Sequence, residues 1–334
     1  MIKTINSDMF GVAMFIYLAA SVLYLVYLVT RNQKTGMAAT FTMLGGLLLN
    51  TAAIGVRWVE SYKAGFGYVP LTNMYESMVF FSWAIVLIYL VFEYLYNFKA
   101  VGVFVAALGF LGIAVVSLTG VNSELQPLVP ALQSNWLTAH VVTCFIGYAA
   151  FAVSYAVSII ILSQSTALNT WILAGHPIVL PALVSLIKYT GIKPELITDR
   201  SLGIMWLVAS IVAVFIFGAN LVFKKIADML PPPRVLDELS YKAVAVGFPL
   251  LTLGILTGAA WANYAWGTYW SWDPKETWSL ITWFWYAAFL HARFTQGWKG
   301  ARLAWVSIIG FGAVIFTYWG VNFVLSGLHS YGSS

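Results

Sequence analysis

Nine stretches of this 334-residue chain run for about twenty residues with few charges: 9–30, 36–57, 76–97, 101–119, 136–163, 202–223, 240–262, 275–294 and 302–325. At 1.5 Å per residue, a helix of that length crosses the roughly 30 Å hydrocarbon core of a bilayer while satisfying its own backbone N–H and C=O groups. Composition agrees: 61% of residues are hydrophobic and 9% charged, against about 25% charged in a soluble domain. The fold class expected is all-α, a polytopic helical bundle in a membrane. The first apolar run ends in Arg31-Asn-Gln-Lys34 with no small-residue cleavage site after it, so it reads as an anchor.

The formal net charge is +5, but the basic residues fall in short clusters between apolar runs, the pattern of the positive-inside rule, and form no nucleic-acid stripe. Arg31/Lys34, Lys99, Lys224/Lys225/Arg234/Lys242 and Arg293/Lys299/Arg302 mark inner loops. The segments 57–73 and 121–135, and the loop at 265–278, then lie outside. The alternation fails unless 171–188, "WILAGHPIVLPALVSLIK", also crosses or re-enters, with Pro177 and Pro181 as kinks. We therefore expect ten crossings, eight core helices plus two inserted ones. The single cysteine, Cys144, has no disulfide partner within the chain and is assigned to helix packing.

One outer loop stands apart. "AWGTYWSWDPKETW" (265–278) holds four tryptophans and a tyrosine beside Asp273-Pro274-Lys275-Glu276. Asp273 suits a helix N-cap, Pro274 the first helical position and Glu276 the third, as in a capping box. The aromatics Trp261, Trp266, Tyr269, Trp270 and Trp272 would lie on a non-helical or short amphipathic segment ending in that corner. They suit a platform for a large flat ligand, a porphyrin or a lipid-linked headgroup, beyond the aromatic belt that any membrane protein carries.

The chain has four histidines. His140, near the start of its helix, and His329, just past the last one, both fall on the side of the tryptophan loop. Two axial histidines beside an aromatic surface suit a haem iron, whereas zinc wants further ligands. His291 lies seventeen residues beyond Pro274, roughly 26 Å deeper at 1.5 Å per residue, where a titratable side chain is functional by default. His176, beside a proline, has no assigned role. Arg57 is a candidate clamp for haem propionates, with interfacial snorkelling as the alternative.

The stretch "GAAWANYAWGTYWSWDPKETWSLITWFWYAAFLHAR", with "NWLTAH" and "VNFVLSGLHSYG", resembles the CcsA (CcsB or ResC) family of System II cytochrome c biogenesis proteins, the tryptophan-rich "WWD" group. The resemblance runs from about residue 67 to 331. It implies N-terminal transmembrane helices over 1–66 and an assembly domain over 67–332, with an insertion at about 165–230. It also implies that His140 and His329 are the outer ligands of haem b and His291 an intramembrane ligand shared with a partner's histidine. Trp266, Trp270, Trp272 and Asp273 match the loop that holds the haem edge.

The implied role is a subunit of a holocytochrome c synthase, working with a Ccs1/ResB-type membrane protein. It would present haem to the Cys-X-X-Cys-His thiols of apocytochrome c, with a thioredoxin-like reductase as a further partner and no metal besides haem iron. The implied location is a bacterial cytoplasmic or thylakoid membrane, with the tryptophan loop on the extracytoplasmic side. The substrate supplies the nucleophiles, so the chain needs none of its own. Competing readings are a haem permease without ligation activity, a lipid-linked glycosyltransferase with a Trp-Trp-Asp loop, and a bis-histidine electron-transfer subunit. The early outer loops lack the paired acidic residues that the glycosyltransferase would use for a divalent cation.

Overall fold

A computed structural model describes residues 5–118, 122–164, 170–190, 199–226, 230–321 and 325. Eleven α-helices are present among them, and no strand: α1 (Ile5–Thr30), α2 (Gln33–Lys63), α3 (Met74–Tyr96), α4 (Gly102–Leu118), α5 (Asn135–Ser163), α6 (Thr170–Gly175), α7 (Val179–Tyr189), α8 (Asp199–Lys225), α9 (Pro233–Trp266), α10 (Pro274–Phe294) and α11 (Ala301–Ile315). The protein is a polytopic helical membrane protein. Nine helical stretches among the described residues are long and apolar enough to cross a bilayer, and one of them joins α6 and α7 over Thr170–Tyr189. The exception is α10, 21 residues long, which carries charges at both ends and Trp278, Trp283 and Trp285 between them.

Helices outrun the apolar windows where polar turns remain helix-competent. Asn32 caps α2 by accepting from the Lys34 N–H at 2.9 Å, and Asn73 caps α3 through the Glu76 N–H at 2.8 Å. In the inserted region Pro177 sits in a single 3-10 turn, His176–Ile178, joining α6 to α7. Pro181 is the third residue of α7, where no intrahelical N–H is needed.

The chain divides into two compact units. Met1–Val153 with Pro249–Tyr269 form the first, and Ser154–Phe248 with Trp270–Ser334 the second. The division of α9 falls at Pro249, the proline inside that helix.

In the first unit α1 packs on α2 and α4, and α3 on α4. Buried polar networks join these helices at two levels. Glu93 accepts from the Tyr24 hydroxyl at 2.5 Å and from Lys99 Nζ at 2.5 Å, and Thr40 also bonds it. The Arg57 guanidinium meets Glu76 at 2.9 Å.

In the second unit α6 and α7 pack on α8, and α10 on α11. Three buried hydroxyls tie helices together where the hydrophobic effect gives lipid-immersed helices no preference for one another: Ser154 on α5 lies 2.8 Å from both Ser240 on α9 and Ser307 on α11. Asn220 donates to Ser163 at 2.9 Å, and Tyr155 meets His176 Nε2 at 2.9 Å.

Candidate haem-handling site

His140 is the sixth residue of α5, and its ring faces α9. Its Nδ1 lies 2.7 Å from the Gly254 carbonyl. A carbonyl oxygen only accepts, so Nδ1 carries a proton and the neutral tautomer protonated on Nε2 alone does not fit. The Trp261 indole lies nearly parallel to the imidazole, with centroids 6.3 Å apart and planes at 12°. Trp261 is 2% exposed, and its Nε1 donates to the Ala131 carbonyl at 2.8 Å. Trp266 meets Trp261 edge-on at 4.8 Å. Gly254, Gly258 and Trp261 recur at i, i+4 and i+7, so one face of α9 builds the whole support.

Two sequence expectations change here. Trp261 and Trp266 belong to α9, which continues to Trp266 because nothing breaks it before Gly267 at φ +77. Trp261 is also covered: it backs the histidine and offers no open ring face. Tyr269, 63% exposed, closes the first unit's share of the loop.

The second unit carries the rest of the loop, and the capping box is present as expected. Asp273 accepts from the Lys275 N–H at 2.9 Å, and Glu276 Oε2 accepts from the Asp273 N–H at 3.2 Å. Glu276 reaches further: the same oxygen takes the Ser271 N–H at 2.8 Å and the Ser271 hydroxyl at 3.2 Å. Asp273 and Glu276 are buried by this corner, so Asp273 serves the loop's shape. Trp272 is 69% exposed and held at φ +58, a left-handed conformation that a bulky residue rarely adopts without support. Trp270 stands perpendicular to it at 5.8 Å.

His291 lies in the last turn of α10 with an exposed side chain, its Nδ1 3.4 Å from the Thr295 hydroxyl. Arg293 beside it pairs with Glu238 at 3.3 Å. His329 lies outside the described residues. Both ring nitrogens of His176 are engaged, Nδ1 with the Leu173 carbonyl and Nε2 with Tyr155, so this histidine ties the inserted segment to α5.

Arg57 is placed differently from a ligand clamp. It is 1% exposed; Nε meets Glu76, Nη1 donates to the Ser123 carbonyl at 2.9 Å, and the guanidinium lies 5.4 Å over the Tyr75 ring. Glu76 in turn accepts from Thr72 N–H at 2.9 Å. Glu76 and Ser123 engage Nε and Nη1, so Arg57 here braces the outer segments, while its buried Nη2 has no hydrogen-bond partner among the described residues. Tyr68, in the same cluster, donates to the Gln126 carbonyl at 2.9 Å. Burial, with Glu76 nearby, pushes its phenol above the ordinary tyrosine value and keeps it a donor.

Residues 71–329 match the model of the cytochrome C assembly protein family. The chain belongs to that family. Its relatives include proteins named cytochrome c biogenesis protein CcsA. One from a Synechococcus species is 39% identical over 87% of this chain and 84% of the relative. Another, from Microcystis aeruginosa, is 39% identical over 89% and 88%. A third, from Gloeobacter violaceus, is 39% identical over 86% and 83%. Membership covers α3 to α11, and with them His140, the tryptophan loop and His291.

Sequence reading passed over two features of this site. The G-x-x-x-G step of Gly254 and Gly258 is visible in "GILTG", and Glu276 braces Ser271 as well as the cap. Cys144, assigned to packing, does pack: it is buried, with Sγ 3.6 Å from His140 Nδ1.

Proposed function

We propose that this chain is the haem-handling subunit of a cytochrome c synthase in a bacterial cytoplasmic or thylakoid membrane, gripping haem b on the extracytoplasmic side and presenting it to apocytochrome c. The observation that carries the reading is the His140 imidazole, whose Nδ1–H is spent on a backbone carbonyl so that Nε2 is the nitrogen fit for a metal. A neutral imidazole of this kind suits haem iron.

In this reading the side chains divide the work. His140 and His329 hold the iron of the cargo at the outer site. Trp266, Tyr269, Trp270 and Trp272 offer apolar ring contact that leaves an edge of the porphyrin accessible. Asp273 and Glu276 hold the tryptophan loop in its turn. The exposed His291 of α10 supplies an intramembrane ligand, completed by a Ccs1/ResB-type partner. The haem brings two vinyl groups, and the apocytochrome brings the thiols that add to them, kept reduced by a thioredoxin-like protein. The chain therefore contributes binding and orientation and no nucleophile of its own.

The test is the absorption spectrum of the complex purified with its partner. His140→Ala and His329→Ala should weaken the low-spin haem signal of one site and His291→Ala that of another, with exogenous imidazole restoring part of each. Spectra identical to the parent's for all three would overturn the assignment. Co-expression with apocytochrome c separates a synthase from a permease, since only the synthase yields covalent haem.

A further inference from the structure

We infer that Gly254 and Gly258 of α9 are positioning residues for His140: their missing side chains let the helix backbone come close enough for the Gly254 carbonyl to decide which imidazole nitrogen keeps the proton. This rests on the reading of His140 as an iron ligand.

The steric observations are specific. A Cβ at Gly258 would sit 2.6 Å from His140 Nδ1 and 2.8 Å from Cε1. A Cβ at Gly254 would sit 2.4 Å from Cys144 Sγ, and 3.2 and 3.3 Å from the backbone N and Cα of Cys144. The first clash pushes the imidazole itself. The second also meets the Cys144 backbone, so turning the thiol away relieves only part of it and the helices must still shift by a few tenths of an ångström. Small residues four apart are the usual means by which membrane helices approach this closely.

The electronic consequence follows from the same contact. The carbonyl of Gly254 takes the His140 Nδ1–H at 2.7 Å and also the Thr257 hydroxyl at 3.1 Å. Trp261, on the same helix and itself fixed by Ala131, lies nearly parallel to the ring. Moving α9 outward lengthens the Nδ1 contact and releases the proton to either nitrogen. An imidazole protonated on Nε2 has no lone pair there to give to a metal. Loss of such an outer partner of a ligating histidine typically lowers metal affinity by about tenfold to a hundredfold.

The experiment uses the full chain with its partner, and has one arm with haem and one without. Without haem, nitrogen-15 spectra of labelled histidine should show His140 as the Nδ1–H tautomer in the parent. Gly258→Ala and Gly254→Ala should give a mixture, with Cys144→Gly partly restoring the second. An Nε2–H form or an imidazolium in the parent overturns the inference without any variant. With haem, Gly258→Ala should lower occupancy of the outer site about tenfold. In a His140→Gly background loaded with imidazole, the same substitution should cost less, because the added ring is not tethered to α5 and can shift away from the new methyl. An equal loss in both backgrounds would mean a general packing defect and would overturn the inference. If His140→Ala leaves the haem spectrum unchanged, the ligand reading falls by itself, and the tautomer arm still decides the role of the glycines.

Discussion

The His140 support and the tryptophan corner both hold an aromatic ring in place, and they do so in opposite ways. His140 is seated by helix against helix, on two glycines and a covered indole that share one face of α9. Trp272 protrudes, and what fixes it is the turn beneath, where buried Asp273 and Glu276 gather the loop's N–H groups. The first arrangement fixes one ring nitrogen against one carbonyl. The second holds an exposed apolar ring on a turn whose buried carboxylates fix the backbone. The comparison teaches that support is buried in both regions, while the ring it carries is part-buried in one and exposed in the other. Stability and ligand affinity should therefore separate when these residues are changed.

The largest effect should come from a buried support. Arg57→Ala leaves Glu76 charged in a dry environment and should cost about 3–5 kcal/mol, seen as a lower midpoint of thermal or denaturant unfolding in detergent. If Arg57 clamped a propionate instead, haem occupancy would fall with little change in midpoint. Glu276→Ala should come next: two backbone N–H groups and a hydroxyl lose their acceptor, at a cost of about 2–3 kcal/mol, and limited proteolysis should then cut near Ser271. Asp273→Ala removes one cap and should cost about 1 kcal/mol, whereas Asp273→Asn should keep most of it. Resistance of the loop to proteolysis should rank the three in that order. Smallest on stability is Trp272→Gly, expected within about 0.5 kcal/mol of the parent because glycine accepts φ +58 readily. Haem affinity should nevertheless fall severalfold, read by titration. A large stability loss there would erase the contrast between the two regions.

Much of the fold was legible because bilayer thickness writes itself into apolar run length. Those runs mark only the lipid-immersed part, however. α2 was expected over 36–57 and extends over Gln33–Lys63, and α9 was expected over 240–262 and extends over Pro233–Trp266. Polar and aromatic turns such as "RWVESYK" carry a helix onward into the interface without raising hydropathy. The capping box at Asp273 was readable because its partners are three residues apart. The Arg57–Glu76 pair was not, since its members lie on different helices and only packing brings them together. His140 could be picked out by its residue type, but its tautomer comes from a carbonyl 114 positions away on α9.

The most direct test is the haem spectrum of the partner-bound complex carrying His140→Ala, recorded before and after adding imidazole. The account predicts a weakened low-spin band that imidazole partly restores, with His291-dependent haem left in place. A spectrum indistinguishable from the parent's would contradict it.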